Sequence, residues 1–369
     1  MVRAPKTPKN KPLSVLLDGT PLLGNRTGIG RYTAALAEEL ASMPDAVDVR
    51  AVAFTLRGWR ALRTVLPHDV TARGLPVAAR ALRQMWLRAP FPPVEMLAGF
   101  SNVMHATNFV LPPTIRAGKV VTIHDLAFLD APGDLPPSDR RLPELVRLSA
   151  QRADVICTPT AAVASVVADR FSVPLEKIVV TPLGVDPAWF ASRAPSATLR
   201  GRLGLPSEYL LFVGADGPRK GLEYLVKAHA SDPSLPPLVI VGPGRSGVDG
   251  RVLRTGYLAD VHLRSVVAGA TALVLPSRDE GFGLPVLEAL ACNVPVVCSD
   301  VPALREVAGG HALHVPVGDV EALAEGLAQA AAAPTTPEAQ SERRAYASGF
   351  TWRRCAEKTV EAYRRSRER

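Results

Sequence analysis

The chain has 369 residues, more than the roughly 100–200 of one ordinary domain, and 47% hydrophobic against 21% charged residues is the balance of a globular protein with apolar material for two cores. A net charge of +8 and a pI near 9.6 suit an anionic partner such as a phosphate-bearing ligand or a membrane surface. With 5% aromatics and no helix-turn-helix, zinc-finger or RNA-binding signature, nucleic acid is not an expected partner.

Residues 1–12 read as a flexible basic tail, followed by an apolar run (Leu13 to Leu17) too short for a signal peptide. Short β-branched runs then alternate with helical stretches, the pattern of parallel βαβ units. In a first unit, 13–185, strands are expected at Ser14–Asp18, Asp48–Phe54, Asn102–His105, Val120–His124 and Val155–Thr158, with helices at Gly30–Ser42, Pro143–Arg152 and Ala161–Phe171. A stretch rich in Pro, Ser, Ala and Gly, from Leu183 to Pro206, interrupts the alternation, with the linker proper at 186–206. A second unit, 207–350, offers strands at Tyr209–Gly214, Pro237–Val241, Arg251–Thr255, Thr271–Pro276 and Val294–Ser299. Its helices lie at Leu222–Ala230, Ala259–Ala268 and Leu284–Ala291, and a last helix, Trp352–Arg367, is capped by Thr351. The expected fold class is α/β, with two facing Rossmann-like doubly wound domains and a cleft between the carboxyl ends of their strands, where open α/β sheets bind ligands.

The most informative segment is Thr271–Asp300, a buried strand, a tight loop, a helix and another buried strand. Glu280 falls on the loop at the strand's carboxyl end and Glu288 just over one turn into the helix, so the two can address different parts of one extended ligand. Gly281 and Gly283 let a backbone approach closely, and the free N–H groups of the helix start suit an anion. Alone, the pair also fits an ordinary βαβ turn with one solvated and one capping glutamate. Downstream of the strand Leu210–Gly214, Arg219 and Lys220 sit in a basic turn at a helix start, where positive charge opposes the helix dipole and where a diphosphate would be neutralised. Gly28 and Gly30, in NRTGIGRY, form only a partial dinucleotide fingerprint, because Thr33 stands where a third glycine belongs. His124, followed by Asp125, closes an apolar run, and as a lone histidine it also fits a structural role. The four scattered cysteines, Cys157, Cys292, Cys298 and Cys355, lack metal-ligand spacing and read as buried thiols of a reducing cytoplasm. No metal site is expected.

The Glu280–Glu288 segment resembles the E-x7-E motif of the retaining glycosyltransferases of family 4, which have the GT-B fold. Pro218, Arg219, Lys220 and Gly221 match the family's P-R-K-G/N signature, and the likeness spans most of residues 13–367. The resemblance implies donor-sugar contact by Glu280, ribose binding by Glu288, and sugar or phosphate contact by the backbone of Gly281, Phe282, Gly283 and Leu284. It implies a glycine loop, Gly28, Ile29 and Gly30, facing the donor diphosphate, and an active-site His124 beside the sugar. Catalytic work is thereby assigned to His124, Glu280, Arg219 and Lys220. Softer carry-overs are Gly214 at the strand end, the nucleobase held near Gly256, Tyr257 and Leu258, and a C-terminal helix (351–369) crossing back to the N-terminal domain. Where some members carry a further arginine after the strand-end glycine, this sequence has Ala215, so one phosphate contact is missing or replaced.

The implied activity is metal-independent transfer of a hexose with retention, from GDP-mannose as first donor or a UDP-sugar as second, to a glycan or lipid-linked acceptor. The nucleotide sugar is a co-substrate and no resident cofactor is expected. The alternatives are a glycosyltransferase-like binding module without turnover, an epimerase or phosphorylase of the same fold, and an NAD-dependent oxidoreductase, for which the glycine fingerprint fails at Thr33. A basic amphipathic stretch, residues 73–96, fits either a domain helix or contact with an anionic membrane, the latter placing a cytoplasmic protein at the inner face of the membrane.

Overall fold

The computed structural model describes residues 11–24, 28–56, 58–130, 133, 135–137, 139–333 and 336–368. Most of the expected tail, residues 1–10, and Asn25, Arg26 and Thr27 of the glycine motif lie outside the described residues.

The first sheet contains β1 (Leu13–Asp18), β2 (Val47–Val52), β3 (Thr71–Arg73), β4 (Val103–Ala106), β5 (Gly118–Thr122), β6 (Val155–Thr158) and β7 (Ile178–Val180), in the order β3-β2-β1-β4-β5-β6-β7, every pair parallel. The second contains β8 (Leu210–Val213), β9 (Leu238–Val241), β10 (Gly247–Asp249), β11 (Val252–Gly256), β12 (Ala272–Leu275), β13 (Val296–Ser299) and β14 (Leu313–Val315), in the order β10-β11-β9-β8-β12-β13-β14. Only the β10–β11 pair is antiparallel. Both sheets are covered on two faces, which is why β4, β6, β12 and β13 are continuously buried runs with no polar alternation. Within β1 the period of two still shows: Val15 and Leu17 join one core cluster and Leu16 another, on opposite faces.

Strand order reverses between β1 and β4 in the first sheet and between β8 and β12 in the second. At such a switch point neighbouring loops leave the sheet in opposite directions and open a crevice. The segments that follow β1, β4, β8 and β12 are those that carry Gly28, Thr107, Arg219 and Glu280. Topology therefore assembles the site before any side chain is considered.

The connection is more ordered than its composition suggests. Asp186 accepts a hydrogen bond from the Ala188 N–H and Pro187 starts a helix, Pro187–Phe190, while Ser196 caps a second, Ala197–Leu203. The helix Trp352–Arg365, capped by Thr351, packs on the first sheet and on the helix Gly28–Ala41. Its entry lies beside the outgoing chain: a Cβ on Gly184 would stand 2.2 Å from the Trp352 nitrogen, and Val185 donates to the Phe350 carbonyl at 3.0 Å. One hydrophobic cluster runs through both domains along this seam, including Val15, Trp189, Leu211, Phe282 and Val360.

The amphipathic stretch forms a helix, Ala79–Arg88, whose apolar face turns into the domain. Leu82 and Trp86 are buried, Trp86 packs edge-on against Phe54, and its indole N–H donates to the Pro92 carbonyl at 3.1 Å. The domain-helix reading accounts for these residues, although Met85 remains exposed.

A buried polar chain fastens the last helix to the first sheet. His105 on β4 sets Nδ1 2.8 Å from the Tyr363 hydroxyl and Nε2 2.8 Å from Thr122 Oγ1, which in turn lies 2.9 Å from the Tyr32 hydroxyl. Burial, with His124 nearby, depresses the His105 pKa to about 3, so the ring is neutral at physiological pH. Replacing Tyr363 by Phe leaves a buried His105 nitrogen without its partner. The expected loss is about 1–3 kcal/mol of unfolding free energy in urea titration, and an unchanged midpoint would show that this chain of hydrogen bonds does not hold the helix.

Candidate active site

Glu280 lies on the loop that leaves β12 and is 8% exposed. Its carboxylate is met by three donors: Lys220 Nζ at 2.5 Å, Ser277 Oγ at 2.7 Å and Arg219 Nη1 at 3.4 Å. Burial pushes this carboxyl up, but Lys220, Arg219 and the Ser277 hydroxyl outweigh it and hold Glu280 below the usual carboxylate range. The two cations come from the turn Pro218–Lys220 after β8. That turn approaches β12 so closely that a Cβ on Gly221 would stand 2.0 Å from the Pro276 carbonyl oxygen, and Gly221 has φ 63°. Glycine alone meets both demands. The Arg278 N–H bonding to the Arg219 carbonyl at 2.8 Å fastens the two loops together.

Gly283, with φ 86°, ends the loop, and the helix Leu284–Ala291 begins with no side-chain cap. Pro285 has no N–H and the Val286 N–H donates to the Gly283 carbonyl at 2.9 Å, so the Leu284 N–H is the one left without a side-chain cap at the point where an anion is best received. Glu288, one turn in, is 1% exposed. Arg31 Nη2, from the helix Gly28–Ala41 of the other domain, donates to its Oε1. Burial raises the Glu288 carboxyl and Arg31 only partly offsets this, whereas Arg31 itself is raised by Glu288. The opposite fates follow from exposure: the Arg31 side chain keeps contact with water, at 27%, and the carboxylate does not.

The N-terminal domain closes over this loop. A Cβ on Gly281 would lie 1.8 Å from the His124 carbonyl oxygen, so the two backbones touch. Thr160 Oγ1 donates to the Gly281 carbonyl at 3.0 Å, and the Glu306 carboxylate accepts from the Ala161 and Ala162 N–H groups at 2.9 and 3.1 Å. Asp125 lies 3.9 Å from Arg219. His124 Nε2 is 2.8 Å from the Thr107 carbonyl oxygen, which assigns the hydrogen to Nε2 and leaves Nδ1 an acceptor. Burial keeps this imidazole below its ordinary pKa and hence neutral. Tyr32 and Phe109 stand edge-on to it at 4.9 and 5.8 Å, and Phe109 adopts φ 60°, a conformation costly for an aromatic residue.

Known proteins similar to this chain are numerous. Residues 27–184 match the family described as Glycosyl transferase 4-like domain, and residues 207–332 match Glycosyl transferases group 1. The O-antigen chain mannosyltransferase B of Escherichia coli is 30% identical over 285 residues, covering 71% of this chain and 74% of that protein. The chain belongs to the group 1 glycosyltransferases. A D-inositol 3-phosphate glycosyltransferase of Acidothermus cellulolyticus is 31% identical over 365 residues, covering 82% of this chain and 77% of that one. Anabaena HepE, a structure determined with UDP-glucose, superposes with a TM-score of 0.70 at 18% identity over 95% of this chain and 98% of that one, which establishes the GT-B fold.

In this glycosyltransferase the structure brings together His124, Arg219, Lys220, Glu280 and Gly281, with Gly283, Leu284 and Glu288 leading away along the helix. Other expected positions differ. Gly28, Ile29 and Gly30 form the first turn of the helix Gly28–Ala41 rather than a loop, glycine being disfavoured within a helix but accepted at its start. Phe282 turns into the core against Phe350, so only its backbone is available. Gly214 is held by close approach to Gly242, whose Cβ would lie 1.8 Å from the Gly214 carbonyl. Gly256, at φ 74°, and Tyr257, 55% exposed, make no hydrogen bond or ion pair to either glutamate among the described residues, and Leu258 is buried. His124 sits two residues beyond the end of β5. Sequence reasoning missed Arg31, Ser277 and Glu306. Arg31 follows Gly30 directly and Ser277 precedes Glu280 by three, but no pattern in one sequence ties Glu306 to residues 161 and 162. Among the described residues no group of three His, Cys, Asp or Glu side chains is placed to hold a metal ion, and no helix is long and apolar enough to cross a membrane.

The contact at Gly281 yields a test of domain closure. Gly281→Ala drives a methyl group into the His124 carbonyl, which cannot yield as a flexible side chain does. Transfer should fall roughly 100-fold, as expected when reacting groups are displaced by about an ångström, with nucleotide affinity retained. Wild-type turnover in this variant would mean that the approach is not part of the working state.

Proposed function

We propose that this glycosyltransferase transfers a hexose with retention from a nucleoside diphosphate sugar, without a metal ion, using the cleft between Glu280 and Glu288. The observation that carries this reading is one buried carboxylate bound to two cations, Arg219 and Lys220, beside a helix start that is open to an anion. The ionised Glu280 accepts hydrogen bonds from the donor sugar's hydroxyls. The diphosphate lies over the start of the helix Leu284–Ala291, where its N–H groups and the two cations stabilise the charge that develops as the bond to the sugar breaks. Glu288 receives the ribose, and the backbone near Gly256, Tyr257 and Leu258 receives the base.

His124 has its Nε2–H engaged by Thr107 and its pKa lowered by burial, so it offers Nδ1 as an acceptor to a sugar hydroxyl. The acceptor proton passes to the departing diphosphate on the face where the acceptor attacks, which keeps the anomeric configuration. Mannose from GDP-mannose is the first donor, supported by the Escherichia coli O-antigen mannosyltransferase relative. A UDP-sugar is the second, supported by the UDP-glucose complex of the HepE neighbour. The acceptor is a glycan or a lipid-linked glycan. It is received by the N-terminal domain, where a cavity of about 330 Å³ beside the helix Ala79–Arg88 is lined by Arg80, by Arg83 paired with Asp139 at 3.6 Å and by Arg141 paired with Glu144 at 3.1 Å.

Glu280→Ala should lower transfer roughly 100-fold or more while nucleoside diphosphate binding holds or tightens, since Lys220 and Arg219 are released from the carboxylate. Donor turnover with radiolabelled sugar and calorimetry with the nucleotide read the two effects separately. Unchanged turnover would remove Glu280 from the reaction, and a glycosyltransferase-like binding module would show nucleotide affinity with no turnover in either protein.

A further inference from the structure

The ion pair between Arg31 and Glu288 joins the two domains. Glu288 belongs to the second domain and is nearly inaccessible; Arg31 reaches it from the first helix of the other domain. We propose that Arg31 is a positioning residue that keeps Glu288 an ionised acceptor for the ribose hydroxyls of the donor, so that ribose recognition is completed only when the domains close. This rests on the assignment of Glu288 to the ribose made above.

Three observations carry it. First, Arg31 bonds Oε1 alone, and Oε2 accepts no hydrogen bond from the described residues, so one carboxylate oxygen is left for a hydroxyl while the other is held. Second, the surroundings otherwise disfavour an ionised carboxylate. Asp260 on the helix Asp260–Ala268 and Asp186 before the helix Pro187–Phe190 both raise the Glu288 pKa, and the Cys292 thiol on its own helix is neutral, pushed up to about 12. Arg264 and Arg344 act on Cys292, but Arg31 is the one cation in contact with Glu288 among the described residues. A buried carboxylate lacking its cation takes up a proton, and a protonated carboxyl is a poor acceptor for a diol. Third, Arg31 is itself held, its guanidinium 5.9 Å above the Trp189 ring in the interdomain connection. The guanidinium is thus seated between the two domains and the segment that links them.

The direction with pH follows. The acceptor form of Glu288 exists above its pKa and is lost as pH falls through it. Removing Arg31 removes an opposite charge and raises that pKa further, so ribose recognition in the variant fades at a higher pH than in the wild type.

The experiment is calorimetry on the full chain with the nucleoside diphosphate that binds best and with its 2′-deoxy and 3′-deoxy counterparts, from about pH 6 to about pH 8.5. The wild type should prefer the ribonucleotide by roughly 10- to 100-fold, the range for a hydrogen bond to a charged group, and lose that preference only at a lower pH than Arg31→Met does. In Arg31→Met the preference should shrink towards unity as pH is lowered, with deoxynucleotide affinity unchanged as the control for folding, and Arg31→Lys should restore it. A wild-type preference at every pH in Arg31→Met, an equal loss for ribo- and deoxynucleotides, or tighter binding of both would overturn the proposal; the last would mean that Arg31 merely obstructs the site. If Glu288→Gln keeps the full preference, or the wild type shows none, the ribose assignment itself fails, and the Arg31 role falls with it.

Discussion

The architecture of the cleft depends on the cost of taking a carboxylate out of water. Glu280 and Glu288 are both buried, and each is met by a cation, but from different places. Glu280 is met within its own domain by Lys220 and Arg219, so its half of the site exists whether or not the domains touch. Glu288 is met across the cleft by Arg31, so its pairing requires the two domains to be in contact. A buried ion pair adds little to stability, since desolvation offsets most of the attraction. What it fixes is geometry, and here the two pairs hold Glu280 and Glu288 in place, the carboxylates proposed for the sugar end and the nucleoside end of one ligand.

The rest of the chain serves to deliver these groups. Two parallel sheets, each reversing strand order at its centre, set the loops after β1 and β4 opposite the loops after β8 and β12. Glycine is required where loops touch: at Gly221 against Pro276, between the loops after β8 and β12, and at Gly281 against His124 in the loop after β5. The C-terminal helix then binds the seam, its Tyr363 engaged with His105, and the same hydrogen-bonded chain ends at Tyr32, whose ring abuts His124. The histidine beside the expected sugar is thus oriented by a residue more than two hundred positions later in the chain.

Much of this was legible in the sequence. The buried runs became strands because a sheet covered on both faces tolerates no polar alternation, and Ala161–Phe171 and Leu284–Ala291 became helices with the expected bounds because Thr160 and the Gly283–Pro285 turn set their starts. β3, β7, β10 and β14 were not read, being three-residue strands at sheet edges, too short to show a period, with β3 and β10 largely exposed. Nor was the helix Val320–Ala332 read, although Asp319 caps its start. The E-x7-E and PRKG segments located the donor half because strand, loop and helix are contiguous there. Arg31 and Glu306 were not assigned, because their partners lie in the other domain and only the folded chain brings them together.

The central claim is that a nucleoside diphosphate sugar occupies this cleft and that protein cations carry the charge of its diphosphate. Calorimetric titration of the purified chain with GDP, UDP, ADP and their sugar conjugates, with and without EDTA, tests it directly. Binding of one nucleotide family should be saturable, unaffected by EDTA and weakened by Lys220→Ala. Failure of every nucleotide to bind, or binding abolished by EDTA, would contradict it.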